Sequence, residues 1–214
     1  VGNPMLDAIA AYKFNPNFRL DNGLSQKPII ALLPGSRKME IENLLPILVD
    51  LNRMFPAHQL VIAGAPNFDL AYYKNYIGDE DIPVVFDQTY DLLKNAEAAV
   101  VASGTATLET ALLRIPQVVV YKANPITVMI ARKLIKVRFI SLVNLINDYL
   151  SVRELIQNDC DTMSISEELK ELTLNPAHRA SVLENYDNLI EKMGTPGASE
   201  KTAALIVKYM KGLE

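Results

Sequence analysis

The chain has 214 residues, half of them apolar, and a net charge of −4, which is enough for one sizeable core without metal or disulfide staples. The acidic balance excludes a general nucleic-acid binder, whose electrostatic footprint is basic. No apolar run approaches the ~20 residues that span a bilayer, so the sequence predicts peripheral membrane contact at most.

The opening, VGNPMLD from Val1 to Asp7, begins with neither Met nor a solvated tail and reads as a chain cut at a domain boundary. A Gly-Asn-Pro turn followed by a polar stretch from Asn15 to Lys27 suits an interdomain connector. Residues 1–27 are therefore expected to be a linker remnant and lead-in, and residues 28–214 a nucleotide-sugar-binding domain. Five short apolar runs then follow: Ile29–Leu33, Gln59–Ala63, Pro83–Phe86, Ala98–Ala102 and Gln117–Val120. None alternates in and out, so all five are expected to be buried central strands. Helical periods separate them near Lys38–Arg53, Asp69–Ile77, Tyr90–Lys94 and Thr105–Leu113. Strand-helix alternation predicts an α/β fold with a doubly wound parallel sheet.

After Tyr121 the rhythm changes. Pro125–Lys136 reads as helical, Phe139–Ser141 as a short strand, and Ser151–Gln157 as the start of a helix. Glu167–Leu174, Ala177–Lys192 and Ala198–Lys211 predict a helical C-terminal third, whose last two helices are broken by Gly194-Thr195-Pro196-Gly197.

Ligands of an open parallel sheet bind outside the C-terminal strand ends, so the loops there carry the chemistry. After Ile29–Leu33 comes Pro34-Gly35-Ser36-Arg37, with Glu40 and Glu42 in the first turns of the next helix. Gly35 permits close backbone approach, Ser36 brings a hydroxyl, Arg37 a fork of donors, and the helix its unpaired N–H groups. That composition fits phosphate. The bland alternative is a tight turn whose Arg pairs with a surface carboxylate. After Ala98–Ala102 comes Ser103-Gly104-Thr105-Ala106-Thr107-Leu108-Glu109, small residues and hydroxyls around a helix start. Glu109, one turn in, is placed to accept from both hydroxyls of a ribose. A capping box is the alternative there, but its acid belongs at position 108, which is Leu. Neither loop is a Walker A or a Gly-x-Gly-x-x-Gly motif.

Taken in order and spacing, ALLPGSRKMEIE (31–42), ASGTATLETALLRIPQVVVYK (102–122), ISLVNLI (140–146) and ELIQ (154–157) resemble the C-terminal domain of the lipid-A-disaccharide synthases. VGNPMLD resembles the linker between the two domains of that family. The resemblance implies a Rossmann-like half of a GT-B glycosyltransferase with a helical C-terminal third. It also implies the family's reaction: UDP-2,3-diacylglucosamine is joined to 2,3-diacylglucosamine 1-phosphate with inversion, giving lipid A disaccharide and UDP at the cytoplasmic face of the inner membrane. Carried over by residue, it places Ser36 and Arg37 at the diphosphate, Ser103, Gly104 and Thr105 at phosphate, and Glu109 at the ribose. Asn144, Glu154 and Gln157 are expected in the same cleft. The family usually has an Ala-Gly pair and then a Pro between the positions of Asn144 and Glu154, where this chain has Asn147-Asp148 and Arg153. The general base of the family lies in its N-terminal domain, so no catalytic residue is expected here. The expected partners are the UDP-sugar donor, the lipid monosaccharide acceptor and that N-terminal domain, and a homo-oligomer is compatible with the sequence. Rival assignments are another UDP-sugar enzyme, an epimerase or a different GT-B transferase, and a non-catalytic nucleotide-binding module.

The remaining features are plainer. Lys122, Arg132, Lys133, Lys136 and Arg138 lie among apolar residues in Tyr121–Phe139, a pattern shared by surface helices that touch anionic lipid and by ordinary packing helices. His58 and His178 are isolated and imply no metal site, and no cofactor is expected. Cys160, alone in QNDCD, is expected to be inert in a reducing cytoplasm. Tyr72, Tyr73 and Tyr76 are expected to pack.

Overall fold

Strands apolar on both faces need cover on both faces, and the computed structural model, which describes residues 2–123, 138–210 and 212, supplies it. Among these residues six strands form one parallel sheet: β1 (Ile29–Leu33), β2 (Gln59–Gly64), β3 (Val84–Phe86), β4 (Ala96–Ala102), β5 (Gln117–Tyr121) and β6 (Glu154–Ile156). Their order is β3-β2-β1-β4-β5-β6. The chain winds outward from β1 to β3, returns to β4 beside β1, and winds outward the other way. Alternate residues of β1 feed two cores: Ile30 and Leu32 pack into one, Ile29, Ala31 and Leu33 into the other.

The helices are α1 (Pro4–Ala11), α2 (Phe18–Asp21), α3 (Lys38–Val49), α4 (Leu70–Ile77), α5 (Thr89–Asn95), α6 (Thr105–Leu112), α7 (Leu142–Asn147), α8 (Thr162–Leu174), α9 (Pro176–Met193) and α10 (Ala198–Met210). Most begin where a side chain can serve the exposed N–H groups. Asn3 accepts from Met5 N with Pro4 opening α1, Asp69 caps α4, Asp161 caps α8, and Asn175 followed by Pro176 starts α9. The larger core takes Ile41, Leu44, Leu45 and Leu48 from α3, Tyr73 from α4, Ile165 and Leu169 from α8, and Tyr186 from α9. At roughly 1.5–3 kcal/mol per buried large apolar side chain, this face dominates folding. The opposite core is smaller and draws on Leu92 and Leu93 of α5, on Phe18 of α2 and on Leu24. Phe18 and Leu24 lie in the expected linker, so the lead-in is packed onto the sheet.

Three expectations are corrected. Val84–Phe86 is not a central strand: β3 is the sheet edge, which is why Val84 and Phe86 are only half-buried. Phe139–Ser141 is not a strand, because Glu154 takes the N–H groups of Ile140 and Ser141 at 2.9 Å each, leaving them nothing to give a ladder. Ser141 instead opens α7. Ser151–Ile156 is not helical, and only Gln157 opens a short 3-10 turn, Gln157–Asp159. The helix formers before that turn are overridden by parallel pairing with β5, Tyr121 opposite Ile156, and the segment becomes β6. The helix expected over Pro125–Lys136 lies outside the described residues.

The Asn147-Asp148 departure is accommodated without a glycine. Asp148 ends α7 in the left-handed region, φ 62°, which Asp tolerates better than most residues, and Asn147 is buried with its amide donating to Ser151 Oγ and Asn185 O.

Asp7 joins the two ends of the fold. Its carboxylate accepts from the N–H groups of Gly197 and Ser199 at the start of α10, the second at 2.8 Å, and these bonds lower its pKa from 3.8 to about 2. A depressed folded-state pKa means that the staple is fully present above pH 3.8 and is lost as pH falls through about 2. Asp7→Asn is expected to speed hydrogen exchange at the Gly197 and Ser199 amides at neutral pH. Wild-type protection there should fall only in that acid window; equal protection in variant and wild type would dismiss the staple.

Candidate functional site

Parallel strands send all their C-terminal ends to one edge, and the loops after β1, β2 and β4 meet there around an open cavity of about 630 Å³. That volume suits a small-molecule ligand. Its walls include Gly35, Ser36, Arg37 and Glu40 from the first loop and α3, Gly64 to Pro66 at the end of β2 and just after it, Ser103 to Ala106 and Glu109 from the second loop and α6, Asp87 from the β3–α5 connection, and Thr89 and Tyr90 from the start of α5. Tyr12, from the lead-in, completes the rim. Six of the nine expected site residues, Ser36, Arg37, Ser103, Gly104, Thr105 and Glu109, thus line one space.

The two helix starts differ. At α3 the Glu40 carboxylate turns back and accepts from Ser36 N at 3.1 Å, from Arg37 N at 3.2 Å and from Arg37 Nη1 at 3.0 Å. Gly35, at φ +102°, makes room for it, since a Cβ there would overlap the carboxylate. The surface ion pair of the bland alternative is therefore present, and it sits on the donors a phosphate would use. At α6 no side chain caps the helix, and Thr107 Oγ1 donates to Gly104 O at 2.8 Å. This second start is left open to an anion by its unpaired N–H groups and the positive end of the helix dipole. Glu109 plays no part in capping. Its Oε1 accepts from the Tyr90 hydroxyl at 2.8 Å.

Asn144, Glu154 and Gln157 lie elsewhere. Asn144 is fully buried. Its Oδ1 accepts from Ser151 N and Val152 N at 2.7 and 2.9 Å, and its Nδ2 donates to Val152 O and Glu154 Oε1, both at 2.8 Å. Glu154 also accepts from Ser141 Oγ at 2.7 Å. Gln157, at φ 57°, pairs with both backbone groups of Ala123. None of the three is among the residues lining the cavity. A hydrogen bond joins their neighbourhood to the cavity wall: Ser103 Oγ donates to Ile140 O at 2.9 Å, in the segment that Glu154 holds.

Cys160 is fully buried, and burial pushes its thiol up despite Lys122 nearby. His58 and His178 pair with Glu97 and Glu168. Tyr73 is buried with its oxygen accepting from Ala65 N at 2.8 Å, and Tyr72 stacks on Phe68.

The order and spacing of these loops match one family throughout. The sequence profile described as Lipid-A-disaccharide synthetase matches residues 1–208. The chain belongs to that family. It is 36% identical over 219 residues to the lipid-A-disaccharide synthase of Syntrophus aciditrophicus (strain SB), covering 99% of this chain and 57% of the relative. A lipid-A-disaccharide synthase 1 of Legionella pneumophila (strain Lens) is 34% identical, covering 97% of this chain and 56% of the relative. The chain therefore spans a little over half the length of the curated relatives it matches. Its fold is that of one half of GT-B proteins. An S. aureus MnaA–UDP co-structure aligns with TM-score 0.62 at 16% identity over 98% of this chain and 54% of that one. A sucrose-phosphate synthase from Thermosynechococcus elongatus aligns with TM-score 0.57 at 12% identity over 99% and 51%.

Asn144→Ala strips two buried N–H groups of their acceptor, each worth about 1–3 kcal/mol when left unsatisfied. Urea unfolding is expected to show a loss of about 3 kcal/mol. An unchanged midpoint would remove Asn144 from the architecture and return it to the list of candidate ligand contacts.

Proposed function

We propose that this chain is the donor-binding half of an inverting glycosyltransferase and that its cavity takes a UDP-sugar. The observation that supports this best is the meeting of two helix N-termini, from adjacent strand ends, with a carboxylate one turn inside the second. Arg37 and Ser36 would hold the diphosphate, Ser103 to Thr105 a phosphate at the open α6 start, and Glu109 the ribose. Glu40 would yield its three donors to the ligand. Asn144 and Glu154 would act from behind Ser103, and Gln157 through the Ala123 backbone.

In the whole protein this half would join UDP-2,3-diacylglucosamine to 2,3-diacylglucosamine 1-phosphate, releasing UDP. The general base beside the acceptor hydroxyl would come from the N-terminal domain. We place the whole protein in the cytoplasm, peripheral to the inner membrane, because its substrates carry acyl chains. Among the described residues no helix is long and apolar enough to cross a membrane. Lys122 and Arg138 flank the cationic stretch proposed to meet anionic lipid; Arg132, Lys133 and Lys136 lie outside the described residues.

Calorimetric titration tests the donor site. UDP is expected to bind the chain more tightly than ADP. Arg37→Ala and Glu109→Ala should each cost about 1.5–3 kcal/mol, roughly tenfold to a hundredfold in Kd. If both variants bind UDP as the wild type does, the assignment is wrong.

A further inference from the structure

Glu109 is held before any ligand arrives. The Tyr90 hydroxyl donates to its Oε1 at 2.8 Å, and among the described residues no protein donor engages Oε2. Burial, then the bond to Glu109, pushes the Tyr90 phenol well above its ordinary value, so the hydroxyl keeps its proton at neutral pH. Tyr90 is itself braced. Its ring meets the Tyr12 ring edge-on, centroids 5.0 Å apart, and the Tyr12 hydroxyl donates to Asp91 Oδ2 at 2.6 Å. Asp91 is buried and takes Asn15 N on its other oxygen at 2.7 Å. Tyr12, Tyr90 and Glu109 all line the cavity. An ionised carboxylate has two accepting oxygens, and here one is committed to the protein while the other is left for a ligand.

We propose that Tyr90 is a positioning residue for nucleoside selection: by holding Oε1 it aims Glu109 Oε2 at the vicinal hydroxyls of a ribose, so the cavity favours ribonucleotides over nucleotides without those hydroxyls. This rests on the UDP-sugar assignment above. Without the phenol donor the Glu109 side chain samples several rotamers, and most of them point the free oxygen away from the ligand. A nucleotide with no ring hydroxyls gains nothing from Glu109 and should not register the change.

Tyr90→Phe removes one oxygen and leaves the ring contact with Tyr12 in place. Kd values for UDP and 2′,3′-dideoxy-UDP are to be measured on wild type, Tyr90→Phe, Glu109→Gln and the double variant. The wild type is expected to favour UDP by about tenfold or more, the size of one charge-assisted hydrogen bond. Tyr90→Phe should shrink that preference to about twofold with little change in dideoxy-UDP affinity, and should have no further effect once Glu109 is Gln. Tyr90→Phe keeping the full preference, or weakening both ligands equally, overturns the proposal while UDP binding stands. A wild type that binds both ligands alike also overturns it and leaves the phosphate contacts in place. A wild type that binds no UDP brings down the nucleotide assignment itself.

Discussion

The pairing of β1 with β4 is the constraint on which the cavity depends. Leu33 lies opposite Val101, so the two strands end almost level and their loops depart side by side. Neither loop alone is more than a strand-to-helix turn. Side by side they aim the N-termini of α3 and α6 at one space, and two partial positive charges there make an anion the complementary ligand. The sheet order creates this opening, because the chain leaves β1 in one direction and β4 in the other, and among the described residues no crossover helix runs between the two strands.

That space already contains an anion at one of the two poles. Glu40 satisfies the α3 start and neutralises Arg37, whose side chain is 83% exposed. The ion pair at this spacing adds only about 0.2–0.5 kcal/mol, so the two backbone N–H groups bound to Glu40 hold the carboxylate more strongly than Arg37 does. In the proposed complex a diphosphate would take over these three donors from the carboxylate. Glu40 holds the loop with three donors turned to one carboxylate, an arrangement that would lower the ordering cost of binding a diphosphate there.

The legible parts of the sequence were those fixed by local chemistry. Four of the five strand runs lie in the sheet interior, where uninterrupted apolar sequence is a direct consequence of two covered faces. The PGSR and SGTATLE loops were legible as the turns that follow β1 and β4, and the sheet brings both to one cavity. What escaped was set by contacts distant in sequence. β6 looks helical over Ser151–Gln157 until β5 is available to pair with it. Asn144 resembles a ligand contact until the N–H groups of Ser151 and Val152 are seen on its oxygen. Tyr90 left no signal at all: it is one more aromatic in a helix, and its role depends on Glu109 nineteen residues later.

The lead-in shows how far such distant contacts reach. A connector rich in Asn and Pro has little reason to order itself, yet Phe18 and Leu24 are buried against the sheet and Asp91 fastens Tyr12 and Asn15. At the other end of the same stretch, Asp7 holds the start of α10. A segment anchored at the last helix, on the sheet and at α5 cannot shift at one anchor without loading the others. Tyr12 is the point at which this path meets the cavity, through a ring contact with the residue that restrains Glu109. Displacement of residues 2–27 would therefore be felt at Glu109 before it is felt at Ser36 and Arg37, which Glu40 holds from the start of α3.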